Sequence, residues 1–267
     1  MRGHPFICLL ALTAFQVCPA GAPEPSSQAE GFGVSASYLP ADFTACKVTQ
    51  EKRLTAQENG EDLPLMVGPG RVRLSFVHRW PKALAAEPPR LPTEGSCIKV
   101  FRLTDPTVPD FAKAYPNLAA AAAALKKTLA ARPRRVDPFT ALPDLYNVQG
   151  GQTIHARIQY LDTPLFSGVA FVNQYAQDFA PIQNADLSFN VQALSRDGKY
   201  YLAALFSVTH PALPFRGETP QLESAEALKG YLAGMEDQLN GYPSGSFFPS
   251  LDHLTAILKS LAIKPAK

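Results

Sequence analysis

The residue with the clearest chemical potential is His210, in the stretch "SVTHPALP" at the end of an apolar strand pattern. It shares the parity of Leu202, Ala204, Phe206 and Val208, so it falls at the rim of a buried face. Pro211 follows, biases His210 toward an extended conformation and cannot donate a ladder hydrogen bond, so the strand must leave the sheet there. A histidine at such a point can face a cleft. Asp178, in the polar connection "QYAQDFAPIQNADLSF", could orient it as a general base, with Asn173 and Tyr175 lining the same sheet-rim pocket. That would be the site of a small hydrolase. The competing reading is structural: the imidazole plugs the rim and bonds a nearby carbonyl.

Nothing else in the chain completes a catalytic set. There is no GxSxG elbow, HExxH, Walker loop, GxGxxG or EF-hand pattern. His155 alternates onto the polar side of its strand beside Arg157 and reads as solvated. No catalytic residue is assigned; His210 and Asp178 are the candidates, and Asn173, Tyr175, Asp178 and His210 are the candidate binding set. No motif asks for a cofactor, and no His/Cys spacing asks for a metal.

The N-terminus, "MRGHPFICLLALTAFQVCPAGAPEPSS", has a positive start at Arg2, an apolar run from Phe6 to Val17 and small residues at Ala20 and Ala22. It reads as a secretory signal over residues 1–22, because the run is too short to span a bilayer. A lipid anchor at Cys18 is the less favoured alternative, since bulky "FQV" precedes it. Export implies an oxidising compartment, periplasmic or extracellular. Beyond the leader the cysteines are Cys46 and Cys97, and the expectation is a disulfide between them.

Removing the leader takes away Arg2 and no acid, so the net charge falls from +2 to about +1. That gives no field to steer nucleic acid. The densest basic run, "KKTLAARPRR" (126–135), ends a helical pattern and reads as a solvated helix end. No other stretch is long and apolar enough to cross a membrane. The partners left open are a small molecule or an envelope component.

These residues must be held by an α+β fold. Residues 23–30 are a polar, proline-rich lead-in expected to be disordered. Residues 31–135 form a half with alternating strand segments ("GRVRLSFVHRW", "SCIKVFRL") and an alanine-rich helix in which Leu118, Leu125 and Leu129 share a stripe and Asn117 can cap. A proline- and glycine-rich boundary leads to residues 151–267. There "TIHARIQYL" alternates, with Ile154, Ala156, Ile158 and Tyr160 on one face. Three further strands follow, the last two joined at Asp197-Gly198, the strongest short hairpin signal in the chain. The expectation is an antiparallel β-meander packed by two C-terminal helices. Both halves place strands before a helix, and one domain or two both fit.

The segment "FVNQYAQDFAPIQNADLSFNVQALSRDGKYYLAALFSVTHPALP" (171–214) resembles part of an uncharacterised family of exported bacterial proteins. The shared pattern is a Gln-Tyr-x-Gln-Asp block, an Asp-Gly-Lys-Tyr-Tyr hairpin and a His-Pro before another proline. That family carries no assigned activity. The resemblance implies bacterial export and a shared domain, transfers no site, and points to Tyr175, Gln177, Asp178, Lys199, Tyr200, Tyr201 and His210. The sequence thus argues for an exported, non-enzymatic binding or structural domain, with the hydrolase as the alternative.

Overall fold

The structure is a computed structural model that describes residues 16–18, 32–53, 69–85, 89, 95–105, 107–145, 150–178, 180–217 and 224–264. Most of the leader and the whole of the 23–30 lead-in lie outside the described residues. The strands are β1 (Gln16–Cys18), β2 (Gly33–Tyr38), β3 (Phe43–Glu51), β4 (Arg71–His78), β5 (Cys97–Arg102), β6 (Gly151–Gln152), β7 (Ala156–Asp162), β8 (Phe166–Ala176), β9 (Leu187–Ser195), β10 (Tyr200–Ser207) and β11 (Ala262–Lys264). The three long helices are α1 (Pro116–Ala131), α2 (Ala225–Gly241) and α3 (Leu251–Lys259).

Among these strands an eight-stranded sheet runs in the order β3-β4-β5-β10-β9-β8-β6, with β7 also paired to β8. Every pairing in it is antiparallel. The fold is therefore α+β, with a meander-like antiparallel sheet packed by the C-terminal helices. β5 pairs with β10, so one sheet runs through both halves of the sequence. The Asp197-Gly198 turn joins β9 to β10, setting Leu194 opposite Tyr201. Gly198 takes a φ of +71°, where a side chain would be strained. The Ser195 and Asp197 side chains bond each other across the turn (2.6 Å).

Alternation puts one apolar core on each side of the sheet. On one side Val72, Leu74, Ile98, Val100, Val191, Leu202, Ala204 and Phe206 pack against β2 and α3, which contribute Val34, Ala36, Leu254, Ile257 and Leu258. On the other, Val169, Phe171, Leu194, Tyr201 and Ala203 lie under α1 through Leu118, Ala121, Ala122 and Leu125. The small alanines let this helix sit close to the sheet. Its N-terminus differs from the expected Asn117 cap: Tyr115 occupies the N-cap and Pro116 opens the helix, where a missing N–H costs nothing. Ser224 and Ser250 cap α2 and α3 by accepting from Ala227 and Asp252 N–H groups.

The expected Cys46–Cys97 disulfide is not formed, and Cys97 is a buried thiol. The register gives the reason. Cys46 on β3 pairs with Phe76 of β4, while Cys97 on β5 pairs with Ser75. Neighbouring positions on β4 face opposite sides of the sheet, so the two sulfurs point apart. With β4 between them their Cα atoms are two strand spacings apart, about 9.5 Å. A disulfide spans roughly 4–7 Å between Cα atoms.

β7 departs from the expected strict alternation. Its register shifts between Ala156 and Gln159, and Arg157 takes a left-handed φ of 59°. This bulge switches the parity: Ile154, Ala156 and Leu161 enter one core, whereas Ile158 and Tyr160 pack against the other. His155, before the bulge, alternates with Ile154 and Ala156 onto the other covered face, with its ring beside Phe171. It is buried rather than solvated, with its ring Nε2 2.8 Å from Gln152 Oε1.

Candidate functional site

His210 is 3 % exposed and fully engaged. Its backbone N–H donates to Asn184 Oδ1 (2.7 Å), and Asn184 Nδ2 donates back to the His210 and Leu213 carbonyls. The ring stacks on Tyr242, with centroids 3.8 Å apart. Nδ1 accepts the Ala212 N–H at 3.2 Å, so the ring proton resides on Nε2 and is donated to Ser246 Oγ at 2.9 Å. Ser246 in turn donates to the Pro243 carbonyl at 2.7 Å. A general base needs a lone pair facing the hydroxyl, and here the nitrogen that faces it carries a proton. Burial lowers the imidazole pKa and keeps it neutral. The chain of bonds ties the strand end to the loop between α2 and α3, and it moves no proton off Ser246.

The other candidates are not brought to His210. Asp178 is exposed just beyond the end of β8. Tyr175 points into a separate polar network, donating to Asp144 Oδ2 and accepting from Asn190 Nδ2. Gln192 Nε2 bonds Asn190 Oδ1 (2.8 Å) and reaches Asp144 Oδ1 (3.3 Å), while Tyr201 donates to Gln192 Oε1 (2.8 Å). Burial first, and then the Asp144 charge, push the Tyr175 hydroxyl well above its ordinary pKa, so it serves as a donor and not as a base. Asn173 shares this face of β8 and is completely buried; its carboxamide lies against the Tyr175 hydroxyl, but neither Nδ2 nor Oδ1 completes a hydrogen bond of good geometry. Register places it in one row with Ser188 and Ser207, whose hydroxyl is likewise buried and unbonded.

A solvent-open cleft of ligand size lies elsewhere. It has a volume of about 420 Å³ and is lined by Arg134, Arg135, Arg157, Ile158, Gln159, Asn240, Ser244 and Leu251. α2 and the β7 bulge build it together. Glu236 Oε1 accepts the His155 N–H (2.6 Å), and Asn240 Oδ1 accepts the Arg157 N–H (2.6 Å). The spacing fits because four helical residues rise about 6 Å and two strand residues advance about 6.7 Å. Two helix side chains thus satisfy backbone donors that a neighbouring strand would otherwise take. They also hold Arg157 in a conformation that costs a bulky residue on the order of 1 kcal/mol or more. The guanidinium is fixed by bonds to the Asn240 carbonyl (3.0 Å) and Ser244 Oγ (2.6 Å).

The basic run 126–135 was expected to be a solvated helix end, and the helix does end in it, at Ala131. Arg132 then turns the chain with a left-handed φ of 45°, carrying Arg134 and Arg135 to the cleft rim. Sequence reasoning missed Arg157 because alternation takes no account of the bulge. The one signal available was a second arginine-bearing segment following the run. Among the described residues no cluster of three His, Cys, Asp or Glu side chains could hold a metal, and no helix is long and apolar enough to cross a membrane. Comparison of the chain with protein-family models, curated proteins and solved structures finds no match.

Proposed function

We propose that this chain is an exported, non-enzymatic binding protein that takes a small polar ligand in the arginine-lined cleft. One observation carries the reading. The cleft combines a ligand-sized volume with guanidinium, carboxamide and hydroxyl donors, and its lining contains no His, Cys, Asp or Glu to act as base or nucleophile. Rigid donors without a proton acceptor suit recognition and not turnover. A hydrolase built on His210 and Asp178 gains nothing from this geometry, because His210 presents a proton to Ser246 and is buried, whereas Asp178 is exposed.

The reading is tested by thermal shift with a panel of small anionic, neutral and cationic compounds, on the wild type and on Gln159→Trp, which fills the cleft. At least one class should raise the melting temperature of the wild type and fail to do so in the variant. No shift from any class, or shifts that survive Gln159→Trp, would contradict it.

A further inference from the structure

We infer that the cleft is a site for a tetrahedral oxyanion, a phosphate or sulfate group carried on a small molecule; this rests on the proposed binding role and specifies its ligand. The charge arrangement points there first. Three arginines line one cleft, from two segments of the chain. Like charges so gathered repel unless something answers them. Within the chain the answer is weak. Arg135 feels the Glu236 charge and pairs with Asp237 at 2.7 Å, but the side chains of that pair are 76 % and 58 % exposed, a geometry in which an ion pair contributes little. Arg157 bonds only neutral oxygens, of Asn240 and Ser244. Arg134 is exposed and makes no ion pair among the described residues.

The second argument is preorganisation. Arg157 is held by its backbone in the left-handed region and by its side chain at Asn240 and Ser244. Its remaining side-chain N–H groups have no acceptor among the described residues, and their planar fork matches two oxygens of one anion. A strained, over-determined arginine beside an open cleft has a ready use if the fixed fork meets a ligand. Arg134 and Arg135 are exposed at the rim, where they can reach an anion held by Arg157.

The third argument selects the anion. A carboxylate offers two oxygens in one plane and a single charge, and Arg157 alone could satisfy it. Donors from two segments, with Arg134 and Arg157 unanswered by any carboxylate among the described residues, suit a group with three terminal oxygens spread in three dimensions and a charge near two. The volume accommodates such a group together with a sugar-sized remainder.

Isothermal titration with inorganic phosphate, sulfate and acetate, at matched ionic strength in chloride, tests the inference. Phosphate and sulfate should bind, and acetate should bind at least about tenfold more weakly. The double variant Arg134→Gln/Arg135→Gln alters two exposed side chains, should fold as the wild type does, and should lose phosphate affinity by about tenfold or more. Arg157→Lys keeps the charge but loses the fork, and should weaken phosphate while leaving the circular dichroism spectrum unchanged. Phosphate binding no tighter than acetate, or unaltered in the double variant, would overturn the inference. If panel compounds of another class bind the cleft while phosphate does not, the inference falls and the binding role stands; if nothing binds there, both fall.

Discussion

Asn173 and His210 are both buried polar residues on the sheet, and their partners separate them. Every polar ring atom of His210 is bonded, so it stabilises a strand end. His210→Gln should lower stability by about 1 kcal/mol, the scale of a lost buried hydrogen bond, and leave ligand binding in the arginine cleft unchanged. Chemical denaturation and titration of the same variant check both halves of this expectation. Asn173 is fully buried and completes no hydrogen bond of good geometry, its one polar neighbour being the Tyr175 hydroxyl, a costly state for a carboxamide. Asn173→Leu, close in volume, should therefore raise stability by about 1 kcal/mol in urea unfolding. A loss of that size would mean that Asn173 bonds the Tyr175 hydroxyl. The sequence identified both residues as candidates by type and parity. It could not separate them, because partner identity depends on Asn184, Ser246 and Tyr242, which reach His210 only through tertiary packing.

At the scale of elements, the pairing of α2 with the edge of β7 organises the cleft. Asn240→Ala removes the acceptor of the Arg157 N–H and leaves a left-handed arginine without its anchor. The expected cost is about 1–3 kcal/mol, that of an unsatisfied backbone donor. Hydrogen exchange should show the Arg157 amide losing protection while the β9–β10 hairpin keeps its own. Unchanged protection at Arg157 would show that the bulge holds itself. Elements with local signals were legible: the Asp197-Gly198 turn and the leucine stripe of α1 follow from neighbours within a few residues. Two features were not. The bulge in β7 depends on acceptors some 80 residues away on α2. The cysteine pairing failed because export and an even count say nothing about register, and β4 runs between the two strands.

At the scale of the whole molecule, three histidines lowered by burial, His78, His155 and His210, set a pH dependence, with the largest shifts at His155 and His78. Burial lowers His155 to about 4 and His78 to about 3. The unfolded chain therefore binds more protons than the native one between the ordinary histidine value of 6.5 and these depressed values. Their contribution to stability is fully present above pH 6.5 and is lost as pH falls toward the folded values. Burial raises the carboxyls of Glu236 and Asp42, which act with the opposite sign: they weaken the fold as pH rises through their titration. The histidine effect is thus read best as a difference. Unfolding free energies of wild type and His155→Gln, compared across pH 7 to 4.5, should diverge by up to about 1.4 kcal/mol per pH unit. A difference that stays constant with pH would refute the neutral, buried assignment.

The account as a whole rests on the arginine cleft being where this molecule meets its ligand. Amide chemical-shift mapping during a titration with inorganic phosphate tests that most directly. The expected result is saturable shifts at Arg157, Gln159, Asn240 and Ser244, with Tyr175, Asn190 and the backbone around His210 unmoved. Shifts centred on Tyr175 or His210, or none that saturate at the cleft, would contradict it.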